Sequence, residues 1–305
     1  MSAFEEIGTA VAAVATSAGA SIVTIGRNAR GSGVVVADGQ VLTNAHNLRG
    51  REVTVTFGDG RSTRGTVTGV DPDGDLAVVS VDTAGAKAIE WGAGDGLAVG
   101  APVFGVAATF GGGVRVTFGL VSSVSRSFRG PGGRRIAGSV EHTAPLAPGS
   151  SGGAIVDAAG KLLGLNTNRI GEGFYLALPA DAALRARVDA LGRGESAKRL
   201  RLGVAIAPSH VARRLRRSVG LAEREGILVR GVEEGSLAEA AGIEAGDLIV
   251  SAGGTAIRDA DDLFDALGGL EAPFDVALVR GAEERTVTVA APATDDKTER
   301  TPGDA

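Results

Sequence analysis

At 305 residues the chain is long enough for about two domains, and 44% hydrophobic with 22% charged residues is the balance of a globular protein. A net charge of −5 argues against a general nucleic-acid role. The absence of cysteine removes disulfides, thiolate metal sites and a cysteine nucleophile, and three histidines (46, 142, 210) are too few for a histidine-rich metal site.

Residues 7–26 carry no charge, but the start MSAFEEIG has Glu5 and Glu6 where a signal peptide needs basic residues, and the run is weak in large apolar side chains. The expectation is an N-terminal helical segment over 1–20, helical through about residue 17, on a chain that as given is cytoplasmic or soluble, with no clear signal peptide. From SIVTIG onward the pattern is strand, turn, strand. GSGVVVA, QVLTNA, EVTVTF, RGTVTGV, DLAVVSV, APVFGVA, GVRVTFGLVSSVS, KLLGLNT and GFYLALP are β-rich runs bounded by Gly, Asp, Asn or Pro. Many short strands at this spacing predict a sandwich or barrel. PADAALRARVDAL reads as a helix closing a domain over 21–192, and the polar residues 193–199 read as a linker. A second, α/β domain is expected over 200–292. Its strands are LGVAIA, GILVRGV, DLIVSAGG and DVALVRG, and its helix is DADDLFDALGG; the tail 293–305 is polar enough to be disordered.

The chemistry concentrates in EHTAPLAPGSSGGAIVDAAGKLLGLNT, residues 141–167, where Gly149, Gly152 and Gly153 flank Ser150 and Ser151. Alone, GSSGG is a common loop composition. A serine hydroxyl is a weak nucleophile that needs a base, and the base needs an orienting acid. VLTNAHNL supplies His46 at the end of a β run, and DPDGDLAVVSV offers Asp71, Asp73 and Asp75. Asp75 is preferred because it leads directly into the apolar strand. His46, Asp75 and Ser151 then stand in the order His…Asp…Ser, that of the double-β-barrel proteases. His142 and His210 are expected to be structural. The GGG at 111–113 lacks the Lys-Ser/Thr of a phosphate loop and is expected to be a mobile loop beside the site, and the arginines of HVARRLRR fit a solvated helix face.

TNAH, DLAVV, TFGLVSSVSR and PGSSGG, in order and at compatible spacing, resemble the landmarks of the HtrA (DegP-like) serine proteases, over roughly residues 20–292. The resemblance implies a mainly β chain: a chymotrypsin-like double β-barrel protease domain followed by an α/β PDZ domain. It makes Ser151 the nucleophile, His46 the base and Asp75 its orienting acid, with the N–H groups of Gly149 and Ser151 as the oxyanion hole. Pro145, Leu146, Leu165, Asn166 and Thr167 are expected to line the specificity pocket. Ser150 replaces a usual Asn, Ala147 an Asn, Thr143 an Asp and Ala154 a Pro, and no acid stands at the expected pocket base, so cleavage after small aliphatic residues is expected rather than after Lys or Arg.

RLGV, Arg201, Leu202, Gly203 and Val204, resembles the carboxylate-binding loop of a PDZ domain, with VAIA as the edge strand that pairs with a peptide and the helix near Asp262–Leu267 as the other groove wall. The implied function is ATP-independent endoproteolysis of unfolded or misfolded proteins in quality control and stress response. Partners would be unfolded substrates and C-terminal peptides, without nucleic acid. No metal or organic cofactor is implied, and a homotrimer built through the N-terminal segment is. The rival reading is a dormant peptide-binding chaperone or scaffold.

Overall fold

The computed structural model describes residues 2–110, 113–130, 135–169, 173–196, 200–207 and 209–290, with backbone alone at 168–169. Residues 111–112 of the GGG run, 197–199 of the expected linker and the expected tail 293–305 lie outside the described residues. The chain divides into two compact units, 1–197 and 198–305.

The first unit opens with helix α1 (Ala3–Ser17), started by a reciprocal cap in which Ser2 Oγ accepts from Glu5 N and the Glu5 carboxylate accepts from Ser2 N. Val14 buries this helix against the core, so it belongs to the first unit rather than standing apart. Six strands follow: β1 (Ile22–Ile25), β2 (Gly31–Ala37), β3 (Gln40–Thr43), β4 (Glu52–Thr56), β5 (Ser62–Asp71) and β6 (Leu76–Ser80). They close a barrel in the order β1-β2-β3-β6-β5-β4. Then β7 (Pro102–Ala108), β8 (Val114–Arg129), β9 (Arg135–His142), β10 (Ala154–Val156), β11 (Leu162–Arg169) and β12 (Tyr175–Pro179) close a second barrel in the equivalent order, β7-β8-β9-β12-β11-β10. One core runs through both barrels, joining Leu42 and Leu76 of the first to Phe104, Leu162, Leu165 and Leu176 of the second. Helix α2 (Ala182–Gly192), capped by the Asp181 side chain on Leu184 N, adds Leu184, Val188 and Leu191 to that core.

In the second unit β13 (Val204–Ala207), β14 (Ile227–Val232), β15 (Leu248–Ala252), β17 (Phe274–Arg280) and β18 (Glu283–Val289) form a sheet in that order, and the short β16 (Thr255–Ala256) pairs with β15. Among the described residues β13 pairs on one side alone, with β14. Helices α3 (Ser209–Ser218), α4 (Leu237–Ala240) and α5 (Ala260–Gly268) complete it, α5 being capped by Asp259 and followed by Gly269. The basic stretch forms α3, and Arg216 turns inward to donate to the carbonyls of Ala222 and Gly281.

Candidate active site

His46 lies in a 3-10 turn directly after β3, and Asp75 immediately precedes β6, the neighbour of β3 in the first barrel. Their pairing therefore follows from the sheet. His46 Nδ1 is 2.8 Å from Asp75 Oδ2 and 3.0 Å from Oδ1, and the His46 backbone N–H donates to Oδ1 at 3.1 Å. Asp75 is buried and sits at φ 54°, a left-handed conformation uncommon for a residue with a side chain. That conformation is held because the Asp75 carbonyl accepts from Asn44 Nδ2 at 2.9 Å and from Ala45 N at 3.2 Å. Asp71 is occupied elsewhere: its carboxylate accepts from Asp73 N and Gly74 N and pairs with Arg187 at 3.3 Å.

A carboxylate on Nδ1 is an acceptor, so the neutral imidazole carries its proton on Nδ1 and presents a bare Nε2. Ser151 follows the turn at 148–150, ahead of β10 of the second barrel. Its backbone carbonyl is fixed to the first barrel by Ser32 N (2.8 Å) and Asn47 Nδ2 (3.0 Å), and Ser32 Oγ donates to Gly149 O (2.9 Å). Gly149 and Gly152 have φ of 87° and 83°, and a Cβ on Gly152 would stand 2.2 Å from the Ser32 carbonyl oxygen. These glycines are backbone requirements of the turn. The N–H groups of Gly149 and Ser151 donate to no other group among the described residues, which leaves both available to an external oxygen.

The Ser151 hydroxyl donates to the Thr167 carbonyl at 2.9 Å and makes no hydrogen bond to His46. The Thr167 hydroxyl in turn donates to Asp75 Oδ2 at 2.8 Å. Thr167 thus touches both the acid and the serine from β11, a link across 92 residues of sequence.

These groups border a cavity of about 540 Å³. Leu146, Asn166 and Thr167 line it, as do Phe128 and Tyr175, which sequence reasoning did not single out. Pro145 and Leu165 are not among its lining residues, and Leu165 is instead fully buried in the core, just ahead of the irregularity in β11 between Asn166 and Asn168 that breaks the alternation before Thr167. His142 is buried beneath the same wall, stacked on Tyr175 at 5.8 Å between ring centroids. Asn166 Nδ2 donates to Ala154 O, so its Oδ1 accepts from His142 Nε2 at 3.0 Å, and His142 Nδ1 is left without a partner among the described residues. Burial, opposed in part by that bond, lowers the His142 pKa from 6.5 to about 4. Sequence reasoning also missed Ser32 and Asn47, and the polar residues beside His46 in TNAHNL were the available signal for Asn47.

In the second unit Arg201, Leu202 and Gly203 form the segment entering β13, which begins at Val204. Gly203 has φ 76°, and a Cβ there would meet Ser236 Cβ at 2.3 Å. The Leu202 side chain is buried in a core shared with Leu263 and Leu267 of α5, while Arg201 is exposed, 3.7 Å from Glu233. Among the described residues no group of His, Asp and Glu is placed to hold a metal ion, and no helix is long and apolar enough to cross a membrane.

Comparison with known proteins matches residues 31–165 to the trypsin-like peptidase domain and residues 228–280 to the PDZ domain. The chain is 31% identical over 272 residues to a probable periplasmic serine endoprotease, DegP-like, of Halomonas elongata, covering 86% of this chain and 56% of that protein. It is 34% identical over 276 residues to the protein of the same description in Brucella suis, covering 86% of this chain and 53% of the relative. The chain thus spans about half the length of these curated relatives. A solved structure of the HtrA-type protease AlgW with a decapeptide superposes with a TM-score of 0.72 at 26% identity, over 92% of this chain and 97% of that one.

Proposed function

We propose that the chain, which pairs a match to the trypsin-like peptidase domain with a match to the PDZ domain and resembles DegP-like endoproteases and HtrA-type proteases, is an ATP-independent serine endopeptidase that cleaves unfolded proteins. The observation that carries this reading is the Asp75–His46 clamp, which leaves Nε2 bare in the cavity that also holds Ser151. Rotation of the Ser151 side chain moves its hydroxyl from the Thr167 carbonyl to His46, which accepts the proton as the oxygen attacks a peptide carbonyl. The oxyanion that forms is met by the free N–H groups of Gly149 and Ser151, donors worth about 3 kcal/mol each in the transition state. His46 then gives the proton to the departing amine, and water repeats the sequence on the acyl-enzyme. Asp75 keeps the imidazole in the required tautomer and stabilises its charged form. The apolar wall of Leu146, Phe128 and Tyr175 supports a preference for an aliphatic residue before the cleaved bond.

In the same reading the second unit takes peptide C-termini. The one-sided pairing of β13 offers a strand edge for β-augmentation, and the segment Arg201–Val204 leads into that edge. Assembly as a homotrimer is part of the proposal and is read by sedimentation of the full chain.

Digestion of unfolded casein by the protein beside its Ser151→Ala variant tests the reading. Cleavage by the parent alone is the expected result. The resting bond of Ser151 to Thr167 favours a second reading, a peptidase held dormant until a ligand arrives. That reading predicts cleavage only after an apolar C-terminal peptide is added.

A further inference from the structure

A second cavity, of about 610 Å³, opens on the first barrel and shares no lining residue with the one described above. Its walls carry Arg27, Arg30, Arg49 and Arg64 against a single carboxylate, Glu52. Glu52 is taken by Arg64 at 3.2 Å, while Arg27, Arg30 and Arg49 are exposed and have no carboxylate partner among the described residues. In a chain of net charge −5 this concentration of unpaired cations is a departure from the average surface, and it has a defined place.

That place adjoins the nucleophile. Arg27 and Arg30 belong to the turn between β1 and β2, whose Ala29 carbonyl lies 2.9 Å from where a Cβ on Gly149 would be. Two residues after Arg30, Ser32 holds Ser151 O and Gly149 O. Asn47, which lines the basic cavity, bonds Ser151 O and directly follows His46. His46 must protonate the departing amine, so the leaving segment passes His46, whose chain neighbour Asn47 lines the basic cavity. We propose that the cavity of Arg27, Arg30 and Arg49 is a subsite for acidic side chains on the leaving-group side of the cleaved bond, and that it selects sites followed within a few residues by Asp or Glu. The proposal rests on the serine-endopeptidase reading for the direction in which the substrate lies.

Exposed pairs are individually weak, and three cations around one or two carboxylates give roughly a tenfold preference that falls as salt rises. The test uses the full chain carrying Ser151→Ala and two fluorescent peptides, identical except for Asp-Glu or Lys-Lys after the aliphatic residue. Both are amidated at the C-terminus, so that no free carboxylate engages the second unit. In low salt the acidic peptide should bind roughly tenfold tighter, and the advantage should vanish in Arg27→Gln/Arg30→Gln/Arg49→Gln. The reversed set Arg27→Glu/Arg30→Glu/Arg49→Glu should favour the lysine peptide, an inversion that misfolding cannot produce. Equal binding of the two peptides to the parent, or a preference that survives both triple variants, overturns the proposal. Cleavage of a neutral peptide by the Ser151 parent is scored separately and reports on the peptidase reading alone.

Discussion

The Thr167 hydroxyl donates to Asp75 Oδ2 at 2.8 Å while the Thr167 carbonyl accepts the Ser151 hydroxyl at 2.9 Å, so one residue of the second barrel holds both ends of a chemistry whose acid belongs to the first. Asp75 is buried and, among the described residues, makes no ion pair other than with His46, and the Thr167 donor is part of what keeps its charge satisfied. Thr167→Val preserves the shape and deletes the donor. It should lower kcat/KM by roughly tenfold and destabilise the first unit by about 1–3 kcal/mol, the cost of removing one of the donors on a buried carboxylate. Thr167→Ser should restore most of both. A serine variant as impaired as the valine one would show that the methyl group, not the hydrogen bond, matters.

Gly152 has no room for a methyl group, since the atom in the way is the backbone oxygen of Ser32, which cannot rotate aside. Gly152→Ala should displace Ser151 and reduce kcat by about a hundredfold, the scale of a 1 Å misplacement, while the folded core survives. Peptidase assays with a thermal melt on the same sample check this. An alanine variant of parental activity would mean that Ser151 tolerates the shift.

His142 makes stability depend on pH in a stated direction. The folded protein refuses the proton until about pH 4, whereas an unfolded histidine accepts it near 6.5. As pH falls from 6.5 to 4 the unfolded chain alone gains the proton, so up to about 3 kcal/mol of stability is lost across that window and none above it. His142→Gln keeps a donor for Asn166 and removes the titration. Urea midpoints of the two proteins should diverge with falling pH above 4, and parallel curves would exclude His142 as the cause.

In the second unit Asp247 is fully buried, and Arg280 grips it with two prongs, Nε to Oδ1 at 2.8 Å and Nη2 to Oδ2 at 2.9 Å. Burial pushes this carboxyl up, but the guanidinium and the Glu244 N–H together hold it below the ordinary range. Arg280→Met leaves a buried charge without its partner and should cost the second unit about 3 kcal/mol. The double variant Arg280→Met/Asp247→Leu should recover part of that loss. Urea unfolding of the full chain, followed by hydrogen exchange in β15 and β17, separates this unit from the first.

How much of this was legible depended on whether a feature was local. Strands β2 and β6 announced themselves as short apolar runs bounded by turn residues, and helix α5 through its cap and closing glycine. Strand β9 did not, because it opens on Arg135 and Gly138, at φ 78°, interrupts its alternation. Strand β10 is three residues long, too short to carry a period. Strand β18 keeps mostly exposed side chains, so its charges resemble those of a loop. In the candidate site, His46 and Asp75 stand at the end and start of apolar runs, and Ser151 stands out through the glycines that flank it. The second role of Thr167, the shielding of His142 and the basic cavity depend on contacts between distant strands, which no local window contains. The resemblance puts Leu165 in the pocket beside Thr167, but two positions along a strand with a bulge suffice to send a side chain into the core.

The two barrels repeat one strand order and share one core, and each supplies only part of the reactive constellation. During synthesis His46 and Asp75 emerge first and can pair at once, yet they have nothing to act with. Ser151 appears 76 residues after Asp75, and its loop is seated only when β11 and β12, ending at Pro179, complete the second barrel. On the proposed peptidase reading, a chain released only as far as Asp75 lacks the serine that the reading needs, while its own unfolded segments lie nearest. If the proposed reading holds, the order in which the ribosome releases the two halves would delay that chemistry until both are in place.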